Sequence, residues 1–237
     1  LRGGFPRSFL AKNDNLSNKW RSNFERTFLE RDIPQLGIHI PAETLRRLWK
    51  MCAHNHGQIL NYSSLGKSLG LSHTTIHSYL DLLSQTFMLR ILPPLEANLK
   101  KRLVKSPKIF IRDSGILHSL LEIDSFDDLL GHPNYGASWE GMAMENIISE
   151  FSDWNEAFFR TSGGAELDLV ISRGRKRVGI EFKASPAPKV SRGFWNAISD
   201  LQLQEAWIIA QVDEAYPIKK NVIVSPLENF LNNFART

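Results

Sequence analysis

The sequence has almost no cysteine and no long apolar run, and both features exclude classes of protein. Cys52 is the only cysteine in 237 residues, so the chain cannot form an internal disulfide, and we expect a reducing, cytoplasmic setting. The longest apolar runs, such as residues 206–210, are much shorter than the roughly 20 residues of a membrane-spanning helix. We therefore predict no membrane partner, and the polar N-terminus, which is unlike a secretory leader, agrees with the cytoplasmic setting.

Motifs of three common enzyme classes are also absent from the sequence. There is no G-x-x-x-x-G-K-[ST] loop, so the chain cannot bind ATP in the P-loop manner. The Ser-Gly pairs at 114–115 and 162–163 lack the frame of a nucleophile elbow. His54 and His56 do not share a helix face, and no cysteine pair accompanies them, which argues against a zinc site.

The composition is that of a folded globular protein with a mild positive charge. Hydrophobic side chains make up 42% of the residues, enough for one large or two small domains with real cores. The 29 basic and 25 acidic residues give a net charge of +4, which permits nucleic-acid contact without requiring it. Patterning along the chain predicts three regions, at residues 1–40, 41–115 and 116–237.

The first region contains a charged helix with an aromatic face. Trp20, Phe24 and Phe28 recur at a spacing of four, which predicts that their rings lie on one side of the helix. The sequence opens on "LRGGFP" without an initiator Met, as expected of the end of a domain whose beginning lies upstream.

The second region has the spacing of a winged helix. A helix over residues 41–56 is followed by a short helix that ends at Gly70 and by a second helix capped by Ser72. Two short strands, at 87–94 and 106–113, flank a loop that we predict to be the wing. The wing and its flank carry Lys100, Lys101, Arg102, Lys105 and Lys108.

These basic side chains are the predicted contacts to a DNA backbone, because phosphate neutralisation by Lys and Arg dominates duplex affinity. His73 and Thr74 lie at the start of the predicted recognition helix, which has no exposed Arg to read guanine edges. Sequence-specific readout is therefore expected to be weak. The alternative is a protein-docking or hinge module whose basic loop is merely solvated.

The third region predicts a mixed sheet with helices on its faces. A helix over 137–151 is followed by strands at 156–161, 165–171 and 178–184, then a helix and another strand. Two of these strands carry acids among apolar residues: Glu166 and Asp168 in "AELDLVI", and Glu181 beside Lys183 in "VGIEFKA". By strand alternation, Glu166, Asp168 and Val170 point one way, and Glu181 and Lys183 share a face.

If the two strands form a hairpin, Asp168 can stand beside Glu181. Two carboxylates that close repel each other unless a cation lies between them, and Mg²⁺ favours a few carboxylates plus water. We therefore predict a metal site at Asp168 and Glu181, where Lys183 would orient a water or stabilise charge on phosphorus. The alternative is that Glu181, Lys183 and Arg160 form cross-strand ion pairs on a sheet surface.

The stretch from "LDLV" to "IEFKA" resembles the signature of the PD-(D/E)XK nuclease superfamily. The resemblance implies a restriction-endonuclease-like α-β-β-β-α-β domain, within an α+β or α/β chain, that uses Mg²⁺ or Mn²⁺. It implies Asp168 and Glu181 as metal ligands and Lys183 as the catalytic lysine, and it assigns a helical acid to Glu145, with Glu140 as the second choice. Arg160, Glu166 and Glu140 are candidates to contact and position these residues. Leu167 stands where the motif has its proline.

A second resemblance covers nearly the whole chain. "LRGGFPRSFLA", "SPKIFIRDSGILHSLL", "WEGMAMENII" and "FFRTSGGAELDLVI" together resemble the C-terminal half of prokaryotic predicted ATPases of the AAA superfamily. The resemblance implies an ATP-binding module upstream of Leu1 and makes residues 1–40 the remnant of its lid and a linker.

Two functional hypotheses follow. The preferred one is a DNA-associated module of an AAA-type ATPase with a metal-dependent phosphodiesterase site. The alternative is a non-catalytic nuclease-fold module that docks or assembles the ATPase. Whether the chain is a monomer or a homo-oligomer stays open.

Overall fold

The computed structural model describes residues 1–97 and 101–234. The first elements are α1 (Pro6–Phe9), α2 (Asp14–Thr27), a π-helical turn (Phe28–Asp32), α3 (Ile33–Gln35), α4 (Ala42–His54), α5 (Tyr62–Leu69), α6 (His73–Gln85), β1 (Leu89–Leu92), β2 (Lys108–Ile111), α7 (Ser114–Leu120) and α8 (Phe126–Gly131). The remaining elements are α9 (Tyr135–Glu150), β3 (Asn155–Arg160), β4 (Glu166–Arg173), β5 (Lys176–Lys183), α10 (Arg192–Leu201), β6 (Glu205–Ala210), β7 (Tyr216–Lys219), β8 (Val222–Ser225) and α11 (Leu227–Phe234).

The chain forms two compact units. The first contains residues 1–91 and 109–141, and the second contains the described residues of the ranges 92–108 and 142–234. The described residues of 92–108, which the sequence predicts as part of a winged helix, thus belong to the second unit. The reason is local: the described parts of this segment hydrogen-bond along β3, through Leu95 N to Phe158 O at 2.7 Å and Val104 N to Arg160 O at 3.0 Å.

The first unit is mainly helical and contains a large apolar core. Trp49 and Leu48 of α4 pack with Ile76 and Leu80 of α6 in a cluster of fully buried side chains. The predicted aromatic face is confirmed, because Trp20 and Phe24 stack with ring centroids 5.3 Å apart and the ring of Phe28 lies 6.0 Å from that of Phe24.

The predicted C-terminal end of α5 and the predicted N-cap of α6 are confirmed as well. Gly70 ends α5 in the left-handed conformation, with φ of 67°, which glycine adopts without strain. Ser72 caps α6, because its Oγ accepts a hydrogen bond from Thr75 N at 3.0 Å.

The opening "RGGFP" segment lies against the start of α7. Asp113 Oδ2 accepts a hydrogen bond from Gly4 N at 2.7 Å, and Asp113 Oδ1 accepts one from Ile116 N at 2.8 Å. A Cβ on Gly3 would overlap Asp113 Oδ1, so a side chain at that position would displace the contact. Asp113 therefore both caps α7 and anchors the first residues of the chain.

The second unit contains a mixed six-stranded sheet in the order β3-β4-β5-β6-β8-β7. The β3–β4, β4–β5 and β7–β8 pairs are antiparallel, whereas β5–β6 and β6–β8 are parallel. The predicted mixed sheet with helices is confirmed at this level. Strand β7 was not predicted; its four residues are all exposed, so it lacks an apolar pattern.

Helices cover both faces of this sheet. Ile208 of β6 packs in one cluster with Phe194 and Leu201 of α10. The next residue back, Trp207, has its ring 5.1 Å from Phe230 of α11. Because neighbouring strand residues point to opposite faces, α10 and α11 lie on opposite sides of the sheet.

Within residues 1–97 and 101–234, no helix is both long and apolar enough to cross a membrane.

Candidate functional site

Asp168 lies at an irregularity in strand β4. Ala157 of β3 pairs with Val170, but Phe159 pairs with Leu167, so β4 has one more residue than β3 across this stretch. Such a β-bulge bends the strand and redirects a side chain. Leu167 and Val170 consequently lie in the same hydrophobic cluster, although they are three residues apart. The strict alternation that the sequence predicts for β4 is wrong here, because it would place these two side chains on opposite faces.

The carboxylate of Asp168 takes the place of a backbone acceptor beside β5. The paired residues of β4 and β5 run from Leu169↔Ile180 to Arg173↔Lys176. Just past this ladder, Asp168 Oδ2 accepts a hydrogen bond from Phe182 N at 3.1 Å. The side chain of Asp168 is only 13% exposed. The bulge therefore fixes Asp168 at the position where the two strands separate.

Glu181 is a buried acid on an interior strand. Strand β5 lies between β4 and β6, where Glu181 pairs with Ile208 of β6. The residue is 6% exposed. Lys183 Nζ donates a hydrogen bond to Glu181 Oε1 at 2.6 Å. Burial, and then the nearby Asp168 carboxylate, raise the pKa of Glu181 to about 8 despite the opposing charge of Lys183. Burial and the Asp168 charge thus favour the protonated form of Glu181, which is also favoured by a hydrogen bond with Asp168.

Lys108 is a member of this cluster that sequence reasoning missed. The sequence predicts it as an exposed DNA contact, but the residue is 4% exposed. Its Nζ lies 3.1 Å from Glu166 Oε1 and 3.5 Å from Asp168 Oδ1. It also lies over the ring of Phe158, 5.4 Å from the centroid. A lysine placed directly before the buried run "IFI" was the only local signal for an inward-facing amino group.

Glu166 and Arg160 form a cross-strand ion pair. The alternative predicted from the sequence instead has Arg160 in ion pairs with Glu181 and Lys183. Glu166 and Arg160 are opposite each other in the β3–β4 ladder, with Arg160 Nε 3.5 Å from Glu166 Oε2. Glu166 thus contacts two cations, Arg160 and Lys108. Because Lys108 also contacts Asp168, Glu166 is connected to the central acids through one shared ammonium group.

The two helical acids that the sequence predicts lie on α9. Glu145 is buried and belongs to the second unit, whereas Glu140 is partly buried and belongs to the first unit. Their roles stay predictions. Across residues 1–97 and 101–234, no group of three or more His, Cys, Asp or Glu side chains is arranged to hold a metal ion.

A divalent ion at this site would therefore draw its protein ligands from Asp168 and Glu181. This donor set fits Mg²⁺, which commonly binds through one or two carboxylates and keeps several waters. Two adjacent carboxyl groups cannot both ionise without a compensating charge, and the cations beside this pair are the ammonium groups of Lys108 and Lys183.

The residues predicted to contact nucleic acid differ in their exposure and in their ion-pair partners. Lys101 Nζ forms an ion pair with Asp200 Oδ1 at 2.6 Å, while Arg102 and Lys105 are exposed. Lys100 lies outside the described residues. His73 and Thr74 are exposed at the start of α6, in the first unit.

Two family models match the chain. The model described as "Domain of unknown function (DUF8612)" matches residues 1–127, and the model described as "Domain of unknown function (DUF4143)" matches residues 135–230. DUF4143 domains are usually found C-terminal to AAA ATPase domains.

Two uncharacterised mycobacterial proteins are similar to the chain. It is 41% identical over 231 residues to "Uncharacterized protein Mb2031c" of Mycobacterium bovis and to "Uncharacterized protein Rv2008c" of Mycobacterium tuberculosis. Each match covers 98% of this chain and 52% of the relative, so the chain spans about half the length of the curated relatives it matches. No solved structure matches the chain significantly.

Proposed function

We propose that this chain, which belongs to the family described as "Domain of unknown function (DUF8612)", is a nucleic-acid-associated module with a metal-dependent phosphodiesterase site. The site consists of Asp168, Glu181 and Lys183. Within a longer protein, the module follows an AAA-type ATPase domain that couples ATP hydrolysis to its action. The frequent position of DUF4143 domains after such ATPases supports this arrangement.

One observation carries the proposal: the hairpin and the bulge bring an Asp, a Glu and a Lys together from two strands. Asp168 is close enough to Glu181 to raise its pKa, and Lys183 Nζ lies 2.6 Å from Glu181 Oε1. An acid whose pKa is strongly perturbed by burial and by a specific charged neighbour is typical of functional sites.

Mg²⁺ or Mn²⁺ bound by the two carboxylates would polarise the phosphate and neutralise charge as the phosphodiester bond breaks. Glu181 must first release its proton, because only the ionised carboxylate is a ligand. Because the pKa of Glu181 is raised, a metal ion would compete with this proton.

Lys183 has two roles, one before and one after metal binds. In the metal-free site its ammonium group donates the 2.6 Å hydrogen bond to Glu181 Oε1 and holds that carboxyl group in place. With its side chain 30% exposed, it can also reach substrate at the surface, where it stabilises charge that develops on a phosphate oxygen.

The nucleic-acid surface is proposed to include Arg102 and Lys105, which are exposed on the segment that runs along β3. The helix pair α5–α6, followed by the β1–β2 sheet, supports a winged-helix interpretation of the first unit, with His73 and Thr74 at the start of the recognition helix.

A non-catalytic docking module is the second candidate. The observation that favours it is that each central acid already has a lysine partner, Lys108 for Asp168 and Lys183 for Glu181. Such a network can hold strands together without any chemistry. In that case the unit would serve assembly of the ATPase.

The experiment that separates the two candidates is a cleavage assay on single-stranded and double-stranded DNA and RNA with Mg²⁺ or Mn²⁺. We expect Asp168→Asn, Glu181→Gln and Lys183→Met each to lose activity by at least ~100-fold, as is usual for groups that stabilise the transition state. Glu205→Gln is the matched control, because Glu205 lies at the far end of the neighbouring strand and pairs with Lys176 instead.

Each variant is compared with the wild type by circular dichroism and thermal unfolding, so that loss of fold is separated from loss of chemistry. Cleavage that persists in Asp168→Asn and Lys183→Met would contradict the site. Absence of both cleavage and divalent-ion binding in the folded wild type would leave the docking module.

A further inference from the structure

The least expected feature of the acidic site is that the side chain of Lys108 is almost completely buried. A lysine side chain that is 5% exposed has given up nearly all of its hydration, which is costly unless acids compensate it. Glu166 Oε1 at 3.1 Å and Asp168 Oδ1 at 3.5 Å supply that compensation, and the Phe158 ring lies 5.4 Å away. The ammonium group of Lys108 is therefore held beside the same carboxylate that is proposed to bind metal.

We propose that Lys108 is a built-in counter-ion that competes with the divalent metal for the Asp168 carboxylate. This inference rests on the proposed function of Asp168 and Glu181, and it identifies what controls metal entry at that site. In the metal-free state, Lys108 compensates Asp168; when metal binds, Lys108 must yield that carboxylate.

The geometry provides a destination for the displaced ammonium group. Lys108 Nζ is already closer to Glu166 Oε1 than to Asp168 Oδ1, at 3.1 Å against 3.5 Å. Metal binding therefore requires a short shift of Lys108 toward Glu166, and the lysine stays inside the protein. Arg160, which shares Glu166, sets how strongly that acid can hold Lys108.

The test measures Mn²⁺ affinity by titration calorimetry in the wild type, Lys108→Met and Arg160→Met, at a pH where Glu181 is ionised. Methionine keeps most of the length and the apolar packing of Lys108 while it removes the charge. Arg160→Met is the matched control, since Arg160 contacts Glu166 across the strand pair and lies 44% exposed.

We expect Lys108→Met to tighten Mn²⁺ binding by at least ~10-fold and Arg160→Met by less than ~3-fold, because a cation 3.5 Å from the ligand repels the metal far more than an exposed one. Lys108→Arg, which keeps the charge, should not tighten binding. Equal effects of Lys108→Met and Arg160→Met, or weaker binding in Lys108→Met, would overturn the inference while the proposed function stands.

If Lys108→Met does not fold, the wild type still provides a test through NMR of lysine side-chain ammonium groups. Mg²⁺ should shift the Lys108 signal and leave the signal of Lys101, which pairs with Asp200, unchanged. A Lys108 signal that does not move while Mg²⁺ binds would overturn the inference. If neither ion binds the wild type at all, the proposed function fails and this inference fails with it.

Discussion

Replacing the buried acid Glu181 with glutamine should make the protein relatively more stable as the pH rises. The residue is 6% exposed, and burial followed by the Asp168 charge raises its pKa from 4.5 to about 8. Between these two values, the unfolded chain loses the Glu181 proton while the folded protein keeps it. Folding stability from this group is therefore present below the unfolded pKa and is lost as the pH rises toward the folded pKa.

The size of this effect follows from the pKa difference. Each pKa unit corresponds to about 1.4 kcal/mol, so a shift from 4.5 to about 8 sets an upper limit of about 5 kcal/mol. The amide of the Glu181→Gln variant never ionises and escapes this loss, although Lys183 loses its 2.6 Å partner. We expect the stability of Glu181→Gln relative to the wild type to rise by about 2 to 4 kcal/mol between about pH 5 and pH 9.

The assay is urea unfolding followed by tryptophan fluorescence and by circular dichroism across this pH range. Two probes are needed because two compact units need not unfold in one transition. Glu205→Gln serves as the control that keeps the Glu181 carboxyl. The burial of a protonated acid at this position is refuted if the free energy of unfolding of Glu181→Gln, relative to the wild type, does not change with pH or decreases as the pH rises.

Three further predictions concern other parts of the molecule. Burial lowers the pKa of His118 to about 4, so the stability it contributes is complete above its ordinary pKa of 6.5 and is lost as the pH falls. His118→Gln should reduce this loss of unfolding free energy at acid pH by about 1 to 3 kcal/mol, measured by urea unfolding. If the unfolding free energy of the variant depends on pH as that of the wild type does, the pKa of His118 is not lowered by burial. Asp113→Ala removes the acceptor for Gly4 N and Ile116 N and should cost about 1 to 3 kcal/mol in thermal unfolding, with partial recovery in Asp113→Asn. Neutralising Arg102 and Lys105 together should reduce the salt slope of DNA affinity by about 1.8, and an unaltered slope would exclude both from phosphate contact.

The features that the sequence predicted well are those set by short-range periodicity. The stacking of Trp20 on Phe24 follows from a spacing of four residues on one helix, and the cap at Ser72 follows from its position before an apolar helix. The β4–β5 hairpin was predictable because a basic turn joins two apolar strands of similar length. The proximity of Asp168 and Glu181 followed from that hairpin.

The features that were missed depend on contacts between distant parts of the chain. The extra residue of β4 is defined only against β3, and no local pattern shows that Leu167 and Val170 share a cluster. The inward position of Lys108 depends on acids far along the chain, at 166 and 168, which no periodicity reports. Strand β7 is an exposed edge that contains Pro217, so it has neither a buried face nor a run of strand formers.

The central claim is that the Asp168 and Glu181 carboxyl groups together hold one divalent ion. It is tested most directly by Mn²⁺ calorimetry of the wild type and Asp168→Asn, in two buffers that differ in ionisation enthalpy, below the Glu181 pKa. We predict one ion per chain, with release of about one proton as Glu181 ionises, and loss of that binding in Asp168→Asn. Binding that survives in Asp168→Asn, or that releases no proton, would contradict the account.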